Sequence, residues 1–564
     1  LSINQYPDYQ CYNVWSAPND ENVVYAHLIH NVNDHLFVRT TNVNDDEEDI
    51  VWENLYSMGG WDNIYIAEDD RKDLEFPRIA IDDEDPLKCW LIKSLWGDDD
   101  DKIFLLEDNV WSVFDPEHKL GIINPNSILH QHGSNDRIYV GTDRGIFYTQ
   151  PSMDMEWVKL NGVPHAEIRE ININNCAQKI RVATFGRGIW EADMPPLDSE
   201  TLISENQTWE TKYILGNSLR IQTGNTLTIN SEVQLPKNAY IYVEKGAKLI
   251  IDGGHLYNAC GLEWAGIFVE GEDNLEQGAL LNSEQGFVWI KNEAIIEGAH
   301  RGVKLIGYTP QGGIEWGSAG GVLIASNSTF KNCKKAIAFY SYQNTNTVGE
   351  LVNNNSRINA CDFIVDQNYY TIFGEDAFVN QVSLWDVHGV KFVGCNFEMP
   401  KNLGNGLNED RAISSRNAAY TVIPHTNYLN GEILQNSKFS GFDIAIDADN
   451  SNPLAAVHIK QSIFEDNNRA ITLSNMLAPV IVKNTITIGP GIANGGIYLY
   501  ETNQYIVEEN SIIGTGANSY PMEQMGIIGE CGIYIDNINN PTYNEIYKND
   551  IQHTYFGLYL KGKN

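Results

Sequence analysis

No stretch of this chain approaches the roughly 18 consecutive apolar residues that a membrane-spanning helix needs, so insertion into a bilayer is not expected. Cations are scarce: 38 lysines and arginines stand against 75 aspartates and glutamates, a formal charge of −37. Such a surface repels phosphate backbones and anionic lipids, which argues against nucleic acid as a partner. It suits a protein kept soluble at high concentration, or one bathed in divalent cations. The eight cysteines are spread at Cys11, Cys89, Cys176, Cys260, Cys333, Cys361, Cys395 and Cys531, with no Cys-x-x-Cys pair. That spacing excludes a dense disulfide scaffold and a zinc ribbon; most are expected as small buried hydrophobes, with a few bridges between adjacent turns left open. A GxxxxGK phosphate loop and a local Ser-His-Asp or Cys-His signature are missing too. The chain starts at Leu1 without a basic-then-apolar leader, which implies a removed signal or a piece of a longer protein.

What is present is the composition of a folded chain, 42% hydrophobic and 11% aromatic. Its 564 residues exceed the roughly 250 to 300 at which single cores stop growing, so several domains or one elongated repeat are expected. A two-strand unit, apolar segment, polar turn, apolar segment, recurs four times before residue 195. The copies begin at Val14 (VWSAPNDENVVYAHL), Ile79 (IAIDDEDPLKCWLI), Ile128 (ILHQHGSNDRIYV) and Ile171, the last resuming at Ile180 to Thr184. In two copies the second strand runs into a shared phrase, VGTDRGIF from Val140 and VATFGRGIW from Val182, whose starts lie 42 residues apart. Three copies precede a strand centred on tryptophan, at Trp52, Trp111 and Trp157, while the fourth meets Pro195 and Pro196 instead. Four short strands per roughly 40 to 45 residues is the period of a propeller blade. The small residues Gly141 and Ala183 predict close packing beside the next blade, and Gly186 and Gly188 a tight turn. Arg144 and Arg187 are candidate anion ligands; the expected role is a strand-end arginine packed over an indole.

These phrases, strongest from Ile138 to Met194, resemble the sortilin-like or BNR-type propellers of large secreted proteins of Bacteroidota. The Asp-box of that superfamily is degenerate here: RTTNVNDDEEDIVW (Arg39 to Trp52) keeps the threonine pair and the tryptophan but not the glycine spacing. Four units in under 200 residues are few for a closed ring, so upstream blades or an open arc are expected.

After the prolines the pattern changes. Apolar and polar residues alternate through Leu227, Ile229, Ile241, Val243, Leu249 and Ile251 in short runs broken by glycine or proline. Then an apolar anchor followed six positions later by a small residue appears as IEGAHRGV (Ile296), FKNCKKAI (Phe330), FSGFDIAI (Phe439), FEDNNRAI (Phe464) and IQHTYFGL (Ile551). Steps of 25, 22 and 26 residues separate Phe439, Phe464, Ile486 and Ile512, the length of one coil of a parallel β-helix. Asn332, Asn467, Asn484, Asn510 and Asn549 recur beside the anchors, where left-handed turns and stacked amides are expected rather than ligand binding. GNTLTI (Gly224), YVEKGAKLIIDGG (Tyr242), EWAGIFVEG (Glu263), FKNCKKAI and YIVEENSIIG (Tyr505) resemble the right-handed β-helix regions of Bacteroidota cell-surface proteins that carry a type IX secretion sorting domain. The resemblance implies export by that machinery; the sorting domain itself is not among these residues.

The fold class expected is therefore all-β: part of a propeller over residues 1–195, then a right-handed single-stranded parallel β-helix over 196–564. The one tempting catalytic cluster, Asp252 to His255 (DGGH), sits where an Asp-Gly-Gly turn is ordinary, and no paired Asp-Asp, GHG or RIK-like triplet follows it. The acidic runs Asp45 to Asp49 and Asp98 to Asp101 are oxygen-rich candidates for calcium, but lack EF-hand spacing and read as solvated hairpin loops. No catalytic residue and no cofactor site is assigned; the metal question stays open. The function expected is display or binding at the cell surface or outside the cell, as an adhesin or scaffold contacting glycans or surface proteins. The rival is a polysaccharide lyase or glycoside hydrolase whose acid and base come from different rungs. Convergence of Asp, Glu, His and Arg from adjacent rungs in one groove would favour it.

Overall fold

The computed structural model describes residues 3, 5–18, 20–31, 34–46, 48–61, 78–82, 85–93, 101–197, 200–278, 284–309, 313–374, 376, 378–401, 410–451, 455–489, 494–516, 530–537 and 543–562. The chain divides into two compact units, Leu1–Ser199 and Glu200–Asn564.

Among the described residues the first unit holds four antiparallel blade-like sheets. They are β1 (Gln10–Ser16), β2 (Val24–Asn31), β3 (Asp34–Thr40) and β4 (Glu53–Asn54); β5 (Arg78–Ile81), β6 (Cys89–Ile92), β7 (Ile103–Glu107) and β8 (Val110–Val113); β9 (Pro125–His130), β10 (Ile138–Thr142), β11 (Gly145–Thr149) and β12 (Val158–Lys159); and β13 (Ile168–Asn174), β14 (Lys179–Thr184) and β15 (Gly188–Asp193). The four predicted two-strand units are the hairpins β1–β2, β5–β6, β9–β10 and β13–β14, and the fourth sheet lacks its outer strand, as its missing tryptophan implies. Successive sheets face one another across separate apolar layers. Tyr25 and Phe37 meet Leu91 and Phe104; Trp90 and Ile92 meet Ile138 and Val140; Tyr139 and Ile146 meet Ile168 and Val182. Gly141 shows why a small residue is needed: a Cβ there would lie 2.2 Å from Ser127 Oγ and 2.6 Å from Ile168 Cγ2 of the next sheet.

Neither Arg144 nor Arg187 packs over an indole. The Trp190 Nε1 donates instead to the Arg187 carbonyl at 2.9 Å, and Arg144 lies 3.7 Å from Asp143. Cations do sit on rings elsewhere in this unit, Arg137 over Tyr148 and Lys88 over Trp90. Arg187 is exposed in the β14–β15 turn and Arg144 half-buried in the β10–β11 turn, and the Trp190 indole satisfies its N–H on the turn backbone.

The second unit is a parallel β-helix. Among the described residues three parallel sheets contain 13, 12 and 12 strands; the first runs from Thr201–Ile203 to Phe556–Lys561, the second from Gln207–Trp209 to Glu545–Tyr547, the third from Tyr213–Ile214 to Asp550–Gln552. Each coil supplies one strand to each sheet and pairs with the coils before and after it, so backbone bonds run between rungs. One α-helical turn, α1 (Tyr369–Phe373), interrupts the strands. The alternation read from sequence is a true inside-outside pattern: Leu227, Ile229, Leu249 and Ile251 are fully buried while their neighbours face outward.

The anchors form one column of the third sheet, in register from Val233 through Leu256, Ile296, Phe330, Phe363, Phe397, Phe439, Phe464, Ile486 and Ile512 to Ile551. The five phenylalanines stack with centroids 4.4 to 5.1 Å apart and planes within 8° of parallel. Stacked rungs bring identical side chains to about this spacing without strain. At the following corner Gly302 lies under the next coil: a Cβ would sit 2.5 Å from the Ala336 carbonyl oxygen.

The asparagine ladder is structural. At the corner between the second and third sheets, Asn484 Nδ2 donates to Asn510 Oδ1 and Asn510 Nδ2 to Asn549 Oδ1, each at 2.9 Å, while each amide also donates to a strand carbonyl of the preceding coil, Ile459, Ile481 and Val507 in turn. Left-handed geometry falls mostly one residue earlier than predicted, on Lys483, Glu509 and Lys548, with Asn332 alone of the five at positive φ. The ladder asparagine must aim its amide along the stack, so its predecessor makes the turn. Of the cysteines, Cys89, Cys333, Cys361, Cys395 and Cys531 are free and buried, Cys11 is free and exposed, and Cys176 and Cys260 are disulfide-bonded.

Candidate functional site: the outer face of the first parallel sheet

The outward positions of the first sheet form a register row across rungs, Arg220, Tyr242, Phe268, Lys304, Ala338, Ser383, Ser414 and Asp447. The row begins with aromatics and charges and continues with small residues. A groove of about 980 Å³ lies over its early rungs, lined by Tyr242, Glu244, Phe268, Glu270, His300, Arg301, Lys304, Tyr308, Glu315 and Tyr340 among others. A shallower groove of about 540 Å³ continues over later rungs, lined by Ser383, Trp385, Ser414, Arg416, Asp447 and Asp449. Trp316, Tyr340 and Trp385 join them: Trp316 meets Trp385 edge-on at 5.7 Å, and Tyr340 lies 6.5 Å from each. Trp316 is 64% and Trp385 40% exposed, an unusual state for indoles that already touch one another.

Charges in the large groove are sorted. At one end Arg220 bonds Glu200 at 2.5 Å and Glu244 at 3.5 Å and lies 4.1 Å over the Tyr242 ring. Tyr240 donates to the same Glu200, and burial together with that carboxylate pushes its phenol up to about 12. Glu270 is held above the usual carboxylate range by burial, with Glu315 and Glu244 adding like charge. At the other end Lys304, only 3% exposed, points its ammonium at Tyr308 (3.9 Å), Tyr340 (5.2 Å) and Phe268 (5.5 Å). Burial and the neighbouring Arg301 bring it down to about 8. His300, which takes a hydrogen bond from Arg301 at 2.9 Å, is lowered to about 4 by burial, Arg301 and Lys334.

The sequence candidates lie elsewhere. Asp252 is ion-paired to Lys291 at 2.7 Å and its carboxyl is lowered by Lys291 and Asn292; His255 bonds Glu297 at 3.0 Å and stacks on Tyr257. Each of the two is tied to the next rung, and the glycines between them make the expected turn. In the run Asp45 to Asp49, Glu47 lies outside the described residues; Asn42 closes the turn through Asp45 Oδ2 and the Asp49 carbonyl, both at 2.9 Å. Of Asp98 to Asp101 only Asp101 is described, 3.0 Å from His118. Among the described residues the one trio with metal-ligand spacing is Asp82, His130 and Asp136, within 4.8 Å of one another. The Lys88 ammonium already stands among these carboxylates, 2.9 Å from Asp136 and 4.0 Å from Asp82. The groove residues left no motif because they are spread over successive rungs; the readable signal is aromatic residues in the outward phase of YIYV, GIFV and AFYSY.

No protein-family model and no curated protein matches the chain. Among solved structures it is similar to PfbA, a surface adhesin of Streptococcus pneumoniae, at 14% identity over 62% of this chain and 85% of that one, with a TM-score of 0.22. It is also similar to full-length tailspike protein 2 of the Escherichia coli O157:H7 bacteriophage CAB120, at 11% identity over 82% of this chain and a TM-score of 0.25; the match spans 61% of the tailspike. At those identities and scores, function rests on the geometry above.

Proposed function

We propose that this is a secreted or cell-surface binding protein, adhesin-like or part of a surface scaffold, that lays an extended glycan along the outer face of the first parallel sheet. The observation that carries the reading is the exposed Trp316–Tyr340–Trp385 cluster bridging two grooves on consecutive rungs. Sugar rings pack on aromatic faces while their hydroxyls bond nearby carboxylates and serines, and both kinds of group alternate here. Disulfide-bonded Cys176 and Cys260 suit an oxidising compartment. Among the described residues no helix is long and apolar enough to cross a membrane. The resemblance of both halves to Bacteroidota surface proteins supports a type IX-like route of export. Binding to a glycan panel tests the proposal: Trp316→Ala and Trp385→Ala are each expected to weaken binding about 3- to 10-fold, as loss of one aromatic contact of about 0.5 to 1.5 kcal/mol predicts. Retention of no polysaccharide, or indifference to both substitutions, overturns it.

One observation favours the enzymatic rival. Carboxyls, histidine and arginine from adjacent rungs do converge, and burial raises the Glu270 carboxyl in the same groove as the more exposed Glu315, two carboxyls in unlike surroundings of the kind glycoside cleavage uses. Release of oligosaccharide products that Glu270→Gln abolishes would establish that reading.

A further inference from the structure

Most cations of this acidic chain that line or border the first sheet have a carboxylate beside them. Arg220 has Glu200 and Glu244, Lys245 has Glu272, Lys334 has Asp376, Arg411 has Asp447 and Arg416 has Asp449. Arg301 and Lys304 do not: among the described residues no carboxylate pairs with either. Arg301 spends its contact on His300, through Nδ1 and the carbonyl, and Lys304 faces rings on three sides. His300 stays neutral at physiological pH and adds no counter-charge. Leaving two adjacent cations in a half-closed groove costs free energy through repulsion and lost hydration, in a chain with 75 acidic residues available to neutralise them. An arrangement of that kind persists where a ligand supplies the missing charge.

Resting on the glycan reading above, we infer that the groove is built for an acidic glycan, with the carboxylate of a uronic-type sugar seated between Arg301 and Lys304. The guanidinium supplies a planar pair of donors that matches a carboxylate, and the ammonium a point charge beside it. The rings of Tyr308, Tyr340 and Phe268 that hold Lys304 also offer an apolar wall for the sugar. Glu315, exposed on the same groove, adds a like charge that disfavours a second carboxylate beside it.

The test measures binding of polygalacturonate oligosaccharides, of the same oligosaccharides after reduction of their carboxyls to alcohols, and of a sulfated oligosaccharide of equal length. The native uronate form is expected to bind at least about tenfold tighter than the reduced form, a charge-assisted contact of roughly 1.5 to 3 kcal/mol. Arg301→Gln and Lys304→Gln should abolish that preference. Glu315→Gln, on an exposed side chain that folding does not depend on, should tighten the uronate about 2- to 3-fold by removing one like charge. Equal binding of native and reduced forms overturns the inference while leaving the glycan reading intact, as does preference for the sulfated form alone. Binding of none of them, with no other glycan retained, removes both.

Discussion

Asp410 is a buried carboxylate whose cost is legible in its contacts. Only 4% exposed, it accepts from the Asp443 N–H at 2.7 Å, and burial pushes it up to about 6. A carboxyl with a folded pKa above its unfolded value binds more protons folded than unfolded. Its stabilising contribution is therefore complete below about pH 4 and lost as pH rises through 6. Asp410→Asn keeps the accepted hydrogen bond and removes the charge, so the second unit should gain about 1 to 3 kcal/mol at pH 7.5 and nothing at pH 4, read as thermal midpoints at the two pH values. His27 and His300, both lowered to about 4, act with opposite sign: their contribution is full above about pH 6.5 and is lost as pH falls toward 4. None of this was visible in the sequence, where Asp410 is one acid among 75, because desolvation is a property of what the fold places around a group.

At the level of the coil corner, the sequence was informative wherever the corner is short. Five of the anchor-to-small-residue spacings were readable because the chain passes directly from the third sheet to the first. Phe363 and Phe397 belong to the same column yet escaped notice, since α1 and longer connections separate them from Val382 and Ile413, their successors in the first sheet. Insertions at a corner leave the stack untouched while erasing the period. The other corner shows how the same position is filled by different chemistry: Cys361, Cys395, Ser437, Ser462, Asn484, Asn510 and Asn549 each pass their carbonyl or side chain to a neighbouring rung. Asn510→Ala should leave the Asn484 N–H without its acceptor, take one of the two bonds of the Asn484 amide and remove the donor to the Ile481 carbonyl, at a cost of about 1 to 3 kcal/mol in denaturant unfolding. Asn510→Ser should cost less, because serine already serves that corner at Ser437 and Ser462.

For the molecule as a whole, we propose that the change of grammar at Pro195 and Pro196 marks a domain boundary. The second unit has one continuous core from Ile203 to Ile535, and residues 200–564 expressed alone should fold cooperatively with a β-sheet circular dichroism spectrum. An unfolded product would show that the first unit is required. Alternation of apolar and polar residues, turn-forming side chains and repeated anchors by themselves determined that this protein is all-β, blade-like at first and coiled in parallel afterwards, because those features act within one strand or one turn. The groove was decided only by tertiary structure. Tyr242, Phe268 and Lys304 are 26 and 36 residues apart along the chain and become neighbours through parallel register, so their convergence depends on how rungs of unequal length come to lie about 4.8 Å above one another.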